Sequence, residues 1–173
     1  MVQFLISPYA ELRLKFSEDQ MERFSDCKLI FVRDGVVEVI NDDYLYVFVD
    51  EMLGRLKDIP VLDDENMWGK IGRWQELYYF ERSYNDRHSE EIHIMEKADF
   101  VGAMSYGLFL YQYRAQVWLE IDKTIAEPDQ ILPMDYYSDP ANYRVLLSEI
   151  SSDAIRDWTE KLRNIKKRIV SFS

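Results

Sequence analysis

A single cysteine, Cys27, in a chain of 173 residues excludes an intrachain disulfide, so the fold has to be held by packing and hydrogen bonds alone. The two histidines, His88 and His93, are five apart with Glu90 and Glu91 between them. A zinc-protease helix instead places two histidines four apart so that both face one ion. Glycine is scarce, and Gly69-Lys70-Ile71-Gly72 lacks the spacing and the Lys-Ser/Thr ending of a phosphate loop. No apolar run approaches the roughly 20 residues that cross a bilayer. Met-Val-Gln-Phe-Leu-Ile at the start has neither the basic leader nor the longer apolar run of a signal peptide, so a cytoplasmic location is expected. Basic side chains are outnumbered, 21 against 32, for a net charge of −11. Such a field repels nucleic acid and anionic membranes and favours a basic partner. Trp68, Lys70, Arg73 and Trp74 interleave rings and cations as single-strand binders do, but the overall charge opposes that use.

What is present is one good core. A composition of 47% hydrophobic and 31% charged residues at this length predicts a single domain. The most committed stretch runs from Gly107 to Asp122, where Leu108, Leu110 and Gln112 alternate with Phe109, Tyr111 and Tyr113, and Val117, Leu119 and Ile121 with Trp118, Glu120 and Asp122. Alternation of this kind predicts two strands. Glu120 and Asp122 are expected to point toward solvent or a partner. Arg114-Ala115 is poor material for a tight primed turn, so a bulge or bend is expected there. Residues 10 to 17 alternate as a half-exposed, edge-like strand. Cys27–Arg33 and Val36–Ile40 flank Asp34-Gly35, a strong hairpin signal, and apolar residues on both faces predict that this hairpin is mostly buried.

Helical signals follow. Asn41 as a cap, with Asp42 and Asp43 in a first turn, and Leu45, Val49, Leu53 and Leu56 at helical spacing predict a helix from about 43 to 57, ended by Pro60. Residues 61 to 72 read as a loop, 73 to 82 as strand or helix with strand favoured, and 91 to 96 as a short strand. Ser138-Asp139-Pro140 predicts a helix start and a helix to Ile150, with Tyr143, Leu146, Leu147 and Ile150 inward. Ser151 and Ser152 then cap a last helix with Ile155, Trp158, Leu162, Ile165 and Ile169 as its apolar stripe. From 153 to 170 six basic and three acidic side chains make +3, leaving −14 for the rest of the chain.

No arrangement singles out a catalytic group. Cys27 as a nucleophile with a histidine base competes with the more ordinary buried thiol. An enzyme, for instance a metal-dependent hydrolase, requires a carboxylate and histidine pocket such as Asp50, Glu51 or Glu120 with His93, and no spacing forces these together. Carboxylates beside large amphipathic rings suit a protein interface better. Asp63, Asp64, Glu65 and Trp68, then Tyr78, Tyr79 and Glu81, then Asp135, Tyr136, Tyr137 and Asp139 are therefore the candidate partner-binding residues, and no cofactor or metal is expected.

The chain is small, acidic, tyrosine-rich and without a catalytic motif, and it carries Gln116-Val117-Trp118-Leu119-Glu120-Ile121-Asp122, Ile131-Leu132-Pro133 and Asp139-Pro140-Ala141-Asn142-Tyr143. In these features it resembles the immunity proteins of polymorphic toxin and contact-dependent growth inhibition systems. It implies a cytosolic inhibitor that binds one toxin domain, often a basic nuclease. The expected fold is α+β, an antiparallel sheet built from the Asp34-Gly35 hairpin and the strands of 107 to 122, covered by C-terminal helices.

Overall fold

The computed structural model describes residues 1–19, 21–62, 71–73, 99–102, 106–123, 136 and 138–171. The fold is α+β, as expected, with a helix at its C-terminal end. The chain divides into two compact units, Met1–Asp58 with Ile150–Ser173, and Ile59–Glu149. Hairpin and central strands lie in two separate sheets instead of one.

The first unit holds β1 (Val2–Ser7), β2 (Ala10–Phe16), β3 (Asp26–Arg33) and β4 (Val36–Tyr44), all antiparallel, in the order β1-β2-β3-β4. β2 is thus an interior strand and not an edge, because the first residues supply β1 beside it. Asp34 and Gly35 have φ of 50° and 81°, the left-handed pair of a primed two-residue turn. α1 (Leu45–Lys57) follows β4 directly. Asn41, Asp42 and Asp43 remain in β4, and the cap position falls on Tyr44 without a side-chain bond. β3 pairs with this segment as far as Tyr44, and the ladder outcompetes the capping signal. α2 (Ser152–Ser171) starts as expected: Ser151 Oγ accepts from the Ala154 N–H at 3.1 Å.

One face of this sheet is dry. Phe4, Leu12, Leu14, Leu29 and Phe31 are buried with Phe48, Val49 and Met52 of α1 and Trp158, Leu162 and Ile165 of α2. Trp158 packs edge-on against Phe4 with ring centroids 5.9 Å apart. An ion pair between Lys166 and Asp50 joins the two helices.

The second unit holds β5 (Val61–Leu62), β6 (Asp99–Gly102), β7 (Tyr106–Tyr113), β8 (Gln116–Lys123) and β9 (Arg144–Ile150), with order β5-β7-β8-β9 and β6 also on β7. β5 is parallel to β7, whereas β6 and β8 run against it. Gln116 bonds Glu149 at one end and the Lys123 N–H reaches the Tyr143 carbonyl near the other, so β9 runs against β8. The expected helix to Ile150 is therefore a strand. Asp139 does cap a helical start, accepting from the Ala141 N–H, but it yields only the 3-10 turn Pro140–Asn142. Tyr143, Leu146, Leu147 and Ile150 fit a helical period by coincidence, and the edge of β8 takes the segment as a strand.

Arg114 and Ala115 have φ of 48° and 66°, so β7 and β8 are joined by a primed turn despite unsuitable residues, with Tyr113 opposite Gln116. Left-handed geometry costs an ordinary side chain roughly 1–2 kcal/mol, partly offset by the flexibility that glycine adds to the unfolded chain. Ala115→Gly is therefore expected to raise the unfolding free energy by about 0.5–1 kcal/mol in urea denaturation. A loss of stability would mean that the turn does not hold this geometry in solution.

Candidate interaction surface

The other face of the first sheet is open. Strand alternation puts Leu5 of β1, Glu11 and Arg13 of β2, Ile30 and Val32 of β3, and Val37 and Val39 of β4 on the side away from Phe4 and Leu29. Their registers make them neighbours: Leu5 lies opposite Glu11, Glu11 opposite Val32, Val32 opposite Val37, and Ile30 opposite Val39. Leu5, Val37 and Val39 are 57%, 60% and 52% exposed. The expectation of a mostly buried hairpin is therefore overturned. Both of its faces are apolar, but α1 and α2 cover only one, and periodicity does not say which.

This face continues into a depression of about 370 Å³ lined by Leu5, Tyr9, Glu11, Val32, Asp34 and Gly35. Tyr9, in the β1–β2 turn, is 76% exposed, and its carbonyl accepts from the Asp34 N–H at 3.3 Å. Toward the far end of β4, Lys28 pairs with Asp42 at 3.2 Å and Tyr44 packs edge-on against the exposed Phe24 at 5.9 Å. An apolar centre with rings and ion pairs around it has the anatomy of a protein-binding surface.

Most of the sequence-derived candidates, namely Asp63, Asp64, Glu65, Trp68, Tyr78, Tyr79, Glu81, Asp135 and Tyr137, lie outside the described residues. So do His88, His93 and the strand or helix expected at 73 to 82, apart from Arg73. Tyr136 and Asp139 are described and serve local structure. The Tyr136 hydroxyl donates to the Asn142 carbonyl at 2.9 Å, while the Asn142 amide donates back to the Tyr136 carbonyl at 2.8 Å. Leu5, Tyr9, Val32, Val37 and Val39 were not singled out by sequence. Their signal was the hairpin's two apolar faces, one more than a two-layer unit has helices to cover.

Glu120 and Asp122, expected outside, are fully buried. They share a face of the second sheet with Phe109, Tyr111 and Tyr113, which cluster with Leu62 and pack against Ile71 and Trp118. The Tyr111 hydroxyl donates to Glu120 Oε2 at 2.8 Å and accepts from the Gly72 N–H at 3.3 Å. Burial, and next the charge of Glu120, push the phenol well above its ordinary pKa, so it stays a donor. Gly72 serves packing: its φ is +75°, and a Cβ there would lie 2.6 Å from both Arg144 and Leu147. Asp50 is held by Lys166, and Glu51 of α1 is exposed. Among the described residues no three His, Cys, Asp or Glu side chains are placed to hold a metal, and no helix is long and apolar enough to cross a membrane. Cys27 is buried, and desolvation, followed by the charge of Asp43, pushes its thiol up to about 12. A thiol so protonated is a poor nucleophile.

Comparison with protein-family models, with curated proteins and with solved structures finds no match to this chain.

Two measurements check the buried groups. Tyr111→Phe removes a donor from a carboxylate that water does not reach and is expected to cost about 1–3 kcal/mol; an unchanged denaturation midpoint would show Glu120 to be satisfied without the phenol. For Cys27, the folded pKa is raised from 9.0 to about 12, so its contribution is complete below pH 9. Above that the unfolded thiol ionises first, the unfolded state binds fewer protons, and stability falls toward pH 12 by at most about 1.4 kcal/mol per pH unit. Cys27→Ala should have a shallower alkaline slope, and identical slopes would refute the shift.

Proposed function

We propose that this chain is an acidic inhibitor of the immunity type, which binds a basic toxin domain in the cytoplasm and blocks its active site or its access to substrate. The observation that carries this reading is the exposed apolar face around Val32, Val37 and Val39, set in a chain of net charge −11. Monomeric surfaces rarely leave such a contiguous apolar strip uncovered unless something binds it. Division of labour follows from the chemistry. Desolvation of the valines and of Leu5 supplies affinity, while the carboxylates raise the rate at which a basic partner arrives. Inhibition by occlusion requires no catalytic residue, cofactor or metal on the inhibitor.

The test is co-expression and binding with any toxin domain found encoded beside this chain. Cells producing both should survive, and the purified pair should associate more slowly as ionic strength rises, since at 0.15 M the Debye length is about 8 Å. The double variant Val37→Lys, Val39→Lys should weaken binding by about 2 kcal/mol or more, chiefly through faster dissociation. A loss in Tyr136→Ala with none in the double variant would move the interface to the Tyr136 segment. Salt-insensitive association would remove the steering role, and absence of any complex would end the reading.

A further inference from the structure

The two edges of the first sheet are treated differently. On β1 the outward carbonyls of Gln3 and Leu5 are already taken: Lys161 Nζ donates to the first at 2.8 Å and Trp158 Nε1 to the second at 3.1 Å. On β4 the corresponding groups belong to Val37 and Val39. Arg33 and Val36 close a two-residue turn and exchange both backbone bonds, and from there the ladder alternates, so the N–H and C=O of Val37 and Val39 point away from β3. β4 is the last strand of its sheet, and among the described residues nothing bonds this edge. A bulge at Ile40 ends the regular stretch. Of the devices by which natural proteins blunt an open edge, namely charges, proline, bulges and a covering element, Val36-Val37-Glu38-Val39 carries only the charge of Glu38, and the bulge lies beyond it at Ile40.

We propose that β4 accepts an extended strand of a basic partner as a fifth strand of this sheet, with Val37 and Val39 offering both their side chains and their outward backbone groups. Charge selects the partner. β4 carries Glu38, Asp42 and Asp43 and no cation of its own, Asp42 being paired with Lys28, so two copies of it would repel, whereas a segment alternating apolar and basic residues would set its apolar side beside the valines and its cations on the side of Glu38 and Asp43. The inference deepens the inhibitor reading by naming how the basic protein docks, and it rests on that reading only for the partner's biological identity.

The probe is a capped ten-residue peptide alternating valine with lysine, compared with its valine–glutamate counterpart. Bound to the full chain, the lysine peptide should slow hydrogen exchange at the Val37 and Val39 amides and bind at least tenfold more tightly than the glutamate peptide. Val39→Pro deletes an outward donor without removing a bond to β3, and it should abolish binding while β3–β4 exchange protection remains. Should that variant fail to fold, the two amides of the unaltered chain decide alone. Protection elsewhere, no preference for lysine, or a dimer of this chain that already protects the edge would each overturn the proposal. Peptide binding without toxin rescue would leave strand addition standing and remove the toxin reading. Rescue indifferent to Val39→Pro, with the peptide unbound, would do the reverse.

Discussion

Without the return of α2, the first sheet would be open at its β1 edge as well as its β4 edge and only α1 would lie on its dry face, and the contact that anchors the return is Trp158. Its ring lies edge-on to Phe4 on the dry face, and its N–H bonds the Leu5 carbonyl on the β1 edge. One side chain thereby joins residues far apart in sequence, is the largest of the fully buried described side chains, and satisfies both the indole donor and a strand acceptor. Buried indoles are stable when their N–H finds such a partner. The next inward residues of α2, Leu162 and Ile165, then fall over the same core at helical spacing, and Lys166 reaches Asp50 of α1.

Closing one face and one edge leaves the other face and edge as they are. The β3–β4 half of the sheet has apolar residues on both sides, because these strands alternate one hydrophobic set with another, whereas β2 puts the paired Glu11 and Arg13 on the outer side. The helices cover the side of Phe4, Leu12, Leu29 and Phe31. The side of Leu5, Val32, Val37 and Val39 therefore stays outside, because no described element of its unit covers it. Exposure of this kind costs little in the folded protein and becomes affinity when a partner arrives.

In the second sheet the governing constraint is different. β7 and β8 are buried on both faces, so the polar residues of the alternation go inside with the apolar ones. Glu120 is tolerated there because the protonated phenol of Tyr111 faces it and is itself positioned by the Gly72 N–H. Tyr111 and Tyr113 of β7 are core residues.

Local chemistry was legible. Asp34-Gly35 specified a tight turn because both positions tolerate positive φ, the spacing of Leu45, Val49 and Leu56 specified α1, and Ser151 with the stripe from Ile155 to Ile169 specified α2, since each of these signals acts within a few residues. The α+β class follows from them. Other features were decided only by what packs where. The segment 144 to 150 has both a helical spacing and strand-forming residues, and the edge of β8 settled it as strand. The alternation around Glu120 marks two faces without saying that both are covered, and the same alternation in β4 does not say that one is bare. Periodicity reports which side chains share a face; burial depends on whether a distant element arrives to cover it, and for the β4 valines no described element of that unit does.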